Sequence, residues 1–192
     1  MDKHPDAVII SCGIFKKELS SLVRSGALSI PIRFLDSSLH MHPEELEKAL
    51  MTAIGETLPE IRRIVLVYGD CHPYIDDRCD PERVVRLPGI NCCEIVLGRD
   101  EYRRLRKEGV FFVFDEWALR WKEVFIRDIG LDEKNASLFM QSMHKSILFL
   151  DTGVGEIPVV QLREMSTFFG LPFSIRNVSL DTLKDSILKA LA

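Results

Sequence analysis

Short apolar runs that alternate with amphipathic stretches constrain the fold of this chain more than any other feature. Residues 7–11 and 61–68 are almost continuous apolar runs, which is typical of strands buried on both faces of a parallel sheet. Residues 14–23 have apolar side chains at helical spacing. The other predicted strands are residues 30–35, 84–87, 110–114, 146–150 and, at an edge, 172–175. Strands that alternate with helices predict an α/β fold with an open, mostly parallel sheet and helices on both faces.

Composition limits the classes of partner. The chain has 192 residues, of which 46% are hydrophobic and 28% charged, so it can bury one sizeable core, and we expect a single domain over residues 1–192. A formal net charge of −4 offers no surface for a phosphate backbone, so no nucleic-acid partner is expected. The first apolar run, residues 7–11, is too short to span or target a membrane, which predicts a cytoplasmic protein with no membrane partner.

The cysteines are the main candidates for chemistry. There are five, an odd number in a chain long enough to fold without crosslinks, so reduced thiols are expected rather than a disulfide framework. Cys12 follows the first predicted strand, Cys71 the third, and Cys92 and Cys93 the fourth. Ligands of open α/β sheets collect outside the carboxyl ends of the strands, and in the common strand orders strand one neighbours strand three or four. These turns are therefore expected to lie close together.

Three or four thiolates on neighbouring turns match zinc or an iron–sulfur cluster in number and in softness. His72, beside Cys71, is a possible substitute ligand. The predicted metal ligands are Cys12, Cys71, Cys92, Cys93 and His72. The spacing contains no C-x-x-C, and the adjacent Cys92 and Cys93 are awkward as joint ligands of one ion.

Other polar residues follow the predicted strands. Asp70, Asp115 and Asp151 lie on the favoured edge and are predicted to contact a cofactor, as an acid, a base or a residue that orients ligands, although such carboxylates can equally cap the following helices. His40 and His42 follow the second strand; two nearby imidazoles can bind a metal, but loop histidines are more often simply solvated.

Two other interpretations remain open. In the first, the chain is a metal-free thiol enzyme in which a cysteine of lowered pKa attacks a substrate and Asp115 or His72 moves the proton. In the second, it is a non-catalytic interaction protein whose cysteines, such as Cys12, are small apolar fillers. Cys79 lies in a charged loop and is interpreted as incidental. No nicotinamide, nucleoside-triphosphate or serine-hydrolase motif is present.

The cysteine turns also carry a family resemblance that covers most of the chain. The segments concerned are Ser11-Cys12-Gly13, Tyr68-Gly69-Asp70-Cys71, Cys92 with Leu97-Gly98 and Tyr102, Trp117, and Asp151-Thr152-Gly153. In these the sequence resembles a prokaryotic family labelled as a domain of unknown function, which is frequent in methanogenic archaea and anaerobic bacteria.

The resemblance implies that the three cysteines act as a unit. In that family the third cysteine is commonly preceded by His-Asp, whereas here Ile90-Asn91 precedes Cys92, which leaves Cys93 or His72 to take over the role of the histidine. Members often occur beside corrinoid-dependent methyltransferases. The resemblance therefore implies a link to one-carbon metabolism, with a corrinoid protein or a methyltransferase as the partner.

Overall fold

The structure is a computed structural model that describes residues 6–72, 75–80 and 82–192, with only the backbone of Arg78. The chain divides into two compact units. One consists of Met1–Arg99 with Leu180–Ala192, and the other of Asp100–Ser179. The sequence predicts a single domain over residues 1–192, and the division into two units does not test that prediction.

Strands and helices alternate as the apolar pattern predicts. The strands are β1 (Ala7–Cys12), β2 (Ile32–Leu35), β3 (Arg63–Val67), β4 (Val84–Arg86), β5 (Val110–Val113), β6 (Ser146–Asp151) and β7 (Phe173–Asn177). The helices are α1 (Lys16–Arg24), α2 (Pro43–Thr57), α3 (Cys92–Leu97), α4 (Arg99–Lys107), α5 (Asp115–Leu119), α6 (Ala136–Met143), α7 (Val159–Phe169) and α8 (Asp181–Leu191). The α/β class is confirmed. Within the described residues no helix has both the length and the apolar character needed to cross a membrane.

The first unit contains a parallel sheet in the order β2-β1-β3-β4. Ile9 of β1 is in register with Ile32 of β2 on one side and with Val65 of β3 on the other. All residues of β1 are buried, as expected for a central strand covered on both faces. Because β1 lies between β2 and β3, the turns after these three strands open at one edge of the sheet.

Helix α2 covers part of this sheet. Pro43 occupies its first turn, where a missing N–H costs nothing, as the sequence predicts. Leu46, Leu50 and Ala53 recur at helical spacing and are buried against the sheet residues Ile10 and Leu66, among others.

The second unit has a separate parallel sheet in the order β5-β6-β7, with β7 as the expected edge strand. Its core is aromatic: the ring of Phe169 lies 5.1 Å from that of Phe125 and 5.9 Å from that of Trp121, measured between centroids. Among the described residues the strands thus form two sheets, where the apolar pattern suggests one. Periodicity identifies strands, but it does not determine which of them pair.

One predicted helix differs in the second unit. The pattern predicts a helix over residues 118–129, whereas α5 starts at Asp115, ends at Leu119 and is followed by a π-helix over Lys122–Asp128. The break falls at Arg120, whose ψ of 14° leaves the helical region. The wider π turns keep Phe125 packed against Phe169.

Candidate functional site

Three cysteines from different strand ends meet in the first unit. Cys12 is the last residue of β1, Cys71 lies in the turn after β3, and Cys92 is the first residue of α3, which follows β4. The Cys92 side chain is hydrogen-bonded to those of Cys12 and Cys71, so it stands between them. The structure thus brings together Cys12, Cys71 and Cys92, whose turns are predicted from the sequence to meet at the carboxyl ends of the strands.

Two glycines allow the turns to approach this closely. A Cβ on Gly13 would lie 2.9 Å from the Leu35 carbonyl oxygen and 3.2 Å from the Ser37 nitrogen. A Cβ on Gly69 would lie 2.7 Å from the Asn91 nitrogen and would also clash with the Asn91 Cα atom. Gly13 therefore joins the turn after β1 to the turn after β2, and Gly69 joins the turn after β3 to the start of α3.

The start of α3 is fixed by its cap. The Asn91 Oδ1 atom accepts a hydrogen bond from the Glu94 N–H at 2.9 Å, and the Glu94 carboxylate accepts one from the Ile90 N–H at 3.3 Å. The Asp70 N–H donates to the Ile90 carbonyl oxygen at 2.9 Å. This reciprocal capping ties the turn after β3 to the first helical residue, Cys92.

A histidine completes the group of side chains. His40 lies in a 3₁₀ turn, Ser37–Met41, after β2, and its side chain is hydrogen-bonded to Cys71. The turn is started by Asp36, whose carboxylate accepts a hydrogen bond from the Ser38 N–H at 2.8 Å. The hydrogen bond to Cys71 raises the pKa of His40 and outweighs the opposing effect of burial. We call Cys12, Cys71, Cys92 and His40 the thiol cluster.

The thiols of the cluster differ in their proton affinity. The hydrogen bond from Cys92 lowers the pKa of Cys71 to about 5, assisted by the hydrogen bond and the charge of His40 and by the Gly69 N–H, against the effect of burial. The pKa of Cys92 is raised well above its ordinary value by the hydrogen bonds to Cys12 and Cys71 and by burial. Near neutral pH, Cys71 is a thiolate and Cys92 keeps its proton, while the raised pKa of His40 favours its protonated form.

Tyr68 packs in the same core cluster as Cys12, and Cys71 packs against that cluster. Tyr68 is 1% exposed, and its hydroxyl has no hydrogen-bond partner in the part of the chain that the structure describes. Burial raises the pKa of Tyr68 most, and negative charge on Cys12, Cys92 or Cys71 raises it further. The hydroxyl therefore keeps its proton.

A family model described as a protein of unknown function (DUF1638) matches residues 34–187. The chain belongs to this family. The match includes Cys71, Cys92 and His40 and begins after Cys12. The searches of the curated proteins and of the solved structures find no match to this DUF1638 chain.

Two predicted ligands of the DUF1638 chain lie in other surroundings. Burial raises the pKa of the Cys93 thiol to about 12, and successive residues of a helix face different directions, so Cys93 is not equivalent to Cys92. The His72 Nε2 atom lies 3.1 Å from the Glu47 Oε2 atom on α2, and the ring is buried. Cys79, interpreted as incidental, has its sulfur 3.4 Å from the Ile75 carbonyl oxygen.

The predicted carboxylates are divided between the units. The Asp70 carboxylate lies 3.0 Å from Nη1 of Arg86. Arg86 also forms an ion pair of 2.6 Å with Asp76. Asp70 therefore helps to hold the turns of the first unit together. Asp115 begins α5 and Asp151 ends β6, both in the second unit. The Asp151 carboxylate accepts a hydrogen bond from the Gly153 N–H at 2.9 Å.

In the thiol cluster of this DUF1638 protein, hydrogen bonds link the side chains in series, from Cys12 through Cys92 and Cys71 to His40. Among the described residues, no group of three or more His, Cys, Asp or Glu side chains is set to hold a metal ion as it stands. Sequence reasoning missed His40 and Tyr68 as members of the site. The signal for His40 was its place after β2, beside the central strand, and the signal for Tyr68 was its place directly after β3.

Proposed function

We propose that this chain binds a thiolate-ligated metal centre, zinc or an iron–sulfur cluster, through Cys12, Cys71 and Cys92, with His40 as the fourth donor. The observation that carries the proposal is the meeting of three thiols from the ends of different strands, with the Cys92 side chain hydrogen-bonded to both Cys12 and Cys71. Buried cysteines that serve only as apolar filler have no need to hydrogen-bond to one another across three turns.

The turns that carry the cysteines are held close together. Gly13 and Gly69 allow backbone approaches that any larger residue would prevent, so the backbone positions of Cys12, Cys71 and Cys92 are fixed by the fold. Because no group is set to hold a metal as it stands among the described residues, binding would require the cysteine side chains to adjust around the ion.

The charge of the cluster suits a cation. Metal binding requires the thiols to be deprotonated and the His40 imidazole to be neutral, so binding releases protons from both kinds of group. Cys71 is already a thiolate near neutral pH, so it offers the first contact to an incoming cation. Cys92 gives up its proton only when a cation compensates the charge, because its pKa is raised in the metal-free cluster. Zinc would supply a Lewis acid, and an iron–sulfur cluster would supply electron transfer.

Individual serine substitutions test the ligand set. C12S, C71S and C92S are each expected to lose most of the metal that the wild type retains, while C79S, outside the thiol cluster, retains it. Metal and sulfide per chain are measured after purification without oxygen, with circular dichroism to show that each variant is folded. Full metal content in all three cluster variants would overturn the proposal.

The proposed setting is anaerobic one-carbon metabolism in the cytoplasm, with a corrinoid protein or a methyltransferase as the partner. The support for this step is the resemblance in the cysteine turns. Calorimetric titration of the metal-loaded chain with a purified corrinoid protein and its methyltransferase tests it. Saturable binding is expected with one of them, and absence of heat with both would remove the partner from the proposal.

One observation favours a second function, that of a metal-free thiol enzyme. Cys71, whose pKa is lowered to about 5, is hydrogen-bonded to His40, whose pKa is raised, and a cysteine beside a histidine is the arrangement that activates a cysteine nucleophile. In this case His40, rather than Asp115 or His72, would move the proton. Rapid alkylation of Cys71 in folded, metal-free protein that takes up no added zinc or iron would favour this function over the first.

A further inference from the structure

The Tyr68 hydroxyl is a buried donor that no group in the described chain uses. A buried polar group without a partner is unfavourable, and such groups are rare in folded proteins. Cys12, Cys71 and Cys92 all lie within electrostatic range of this hydroxyl. Tyr68 and Cys12 are members of one core cluster and Cys71 packs against it, so the orphan donor lies in the same part of the first unit as the thiol cluster.

Metal loading changes what the sulfurs require. In the metal-free cluster, Cys92 keeps a thiol proton that it can donate to one neighbouring sulfur. Once Cys12, Cys71 and Cys92 are thiolate ligands, none of them retains a proton to donate, and each sulfur is only an acceptor. The Gly69 N–H already bonds to Cys71, and the Tyr68 O–H is a further donor in the same core region.

We propose that the Tyr68 hydroxyl donates a hydrogen bond to a thiolate of the metal-loaded cluster and is thus a positioning residue for the metal centre. The inference rests on the proposed function, since it concerns the loaded form of the same site. Hydrogen bonds to ligand atoms orient them and tune the metal, and their loss typically weakens metal binding about 10-fold to 100-fold.

The surroundings hold the Tyr68 ring in place. It directly follows β3, and it packs in the core cluster that contains Cys12, Ile10 and Leu46. The Tyr68 carbonyl oxygen accepts a hydrogen bond from Nη1 of Arg86 at 3.4 Å. With the backbone and the ring both held, a hydrogen bond to the hydroxyl has to form by adjustment of a cysteine side chain when the metal binds.

A purely packing role and a positioning role predict different effects for Tyr68→Phe. The substitution keeps the ring and removes an unpaired buried hydroxyl, so we expect the metal-free variant to be at least as stable as the wild type. The same change removes a donor that the loaded cluster uses, so metal affinity falls. Equal or greater stability with weaker metal binding is a combination that a loss of packing does not produce.

Titration with Co²⁺, whose thiolate charge-transfer absorption reports on the sulfur ligands, tests the inference. We expect Tyr68→Phe to bind Co²⁺ about 10-fold more weakly than the wild type. Its charge-transfer band should shift to lower energy, because a thiolate without a hydrogen bond releases charge more easily. Tyr102→Phe is the matched control: this buried tyrosine stacks on Phe112 in the second unit, so its variant should match the wild type.

The outcomes separate the two proposals. Wild-type affinity and an unchanged band in Tyr68→Phe would overturn the role of Tyr68 and leave the metal site standing. Failure of the wild type to bind Co²⁺, zinc or iron with sulfide would overturn the metal site and this inference together. Melting temperatures measured in chelator show whether either tyrosine variant has lost stability.

Discussion

Cys71 and Cys92 share a hydrogen bond that moves their pKa values in opposite directions. The bond stabilises the thiolate of Cys71, and it is lost if Cys92 gives up its proton, so it raises the pKa of Cys92. His40 increases the difference between the two pKa values through its hydrogen bond to Cys71 and its charge. The two cysteines therefore act as a coupled pair in which one sulfur is charged and its neighbour is neutral.

The charged sulfur should react first with an alkylating reagent. In metal-free wild type we expect the rate of iodoacetamide labelling of Cys71 to rise with pH around its pKa of about 5. His40→Gln removes a hydrogen bond and a positive charge, so the midpoint should move upward by about 1 to 3 pH units. Mass spectrometry of labelled peptides measures this, with C71S as the background. A midpoint near the ordinary cysteine value of about 8.5 in both proteins would contradict the pairing.

The pair also makes stability depend on pH in a defined way. Cys71 has a lowered pKa, so its contribution is present above the unfolded value of about 8.5 and is lost as the pH falls through about 5. His40 has a raised pKa, so its contribution is present below about 6.5 and is lost as the pH rises through its folded value.

The two contributions change with pH in opposite directions. Between pH 5 and about 6.5 stability rises with pH because only the Cys71 contribution changes, and above about pH 6.5 the further gain from Cys71 is opposed by the loss from His40. Urea unfolding of the metal-free wild type and of a C71S/H40Q double variant from pH 5 to pH 9 measures the difference. A difference that rises with one slope from pH 5 to about pH 8.5 would show that Cys71 contributes and His40 does not.

Gly69 lies beside the thiol cluster, and we expect it to tolerate substitution poorly. Gly69→Ala brings a methyl group against the Asn91 backbone, which separates the turn after β3 from α3, and we expect a loss of about 2 to 4 kcal/mol in the free energy of unfolding. Gly55→Ala in α2 is the control: it meets no atom within 4 Å and should stabilise the protein by about 0.5 to 1 kcal/mol. Chemical denaturation of both variants checks this, and equal effects would contradict the close approach.

Asn91 is expected to be replaceable by aspartate but not by alanine. Its side chain caps α3, so Asn91→Ala should cost about 1 kcal/mol and loosen the position of Cys92. Asn91→Asp keeps the acceptor and should retain both the stability and the metal content of the wild type. Loss of metal in the aspartate variant would show that the amide itself, rather than the cap, is required.

The convergence of Cys12, Cys71 and Cys92 could be predicted from the sequence. Buried parallel strands appear as continuous apolar runs, and the residues that follow such strands share one edge. The strand order supplied the rest, because β1 lies beside β3 as in the common doubly wound sheets.

The other members of the site depend on side-chain direction, which sequence position does not reveal. His40 and His42 look alike in the sequence, but the 3₁₀ turn directs His40 toward Cys71. His72 is adjacent to Cys71, yet its ring turns to Glu47. Tyr68 looks like the end of a core strand, and only its unpartnered hydroxyl distinguishes it.

The metal site can be tested on the wild type by measuring iron, sulfide and zinc per chain, together with a visible spectrum, after purification without oxygen. We expect one bound centre per chain: either zinc alone or iron with sulfide and a broad visible absorption. Folded wild-type protein that contains none of these elements, and that takes up neither zinc nor iron with sulfide when they are supplied, would contradict it.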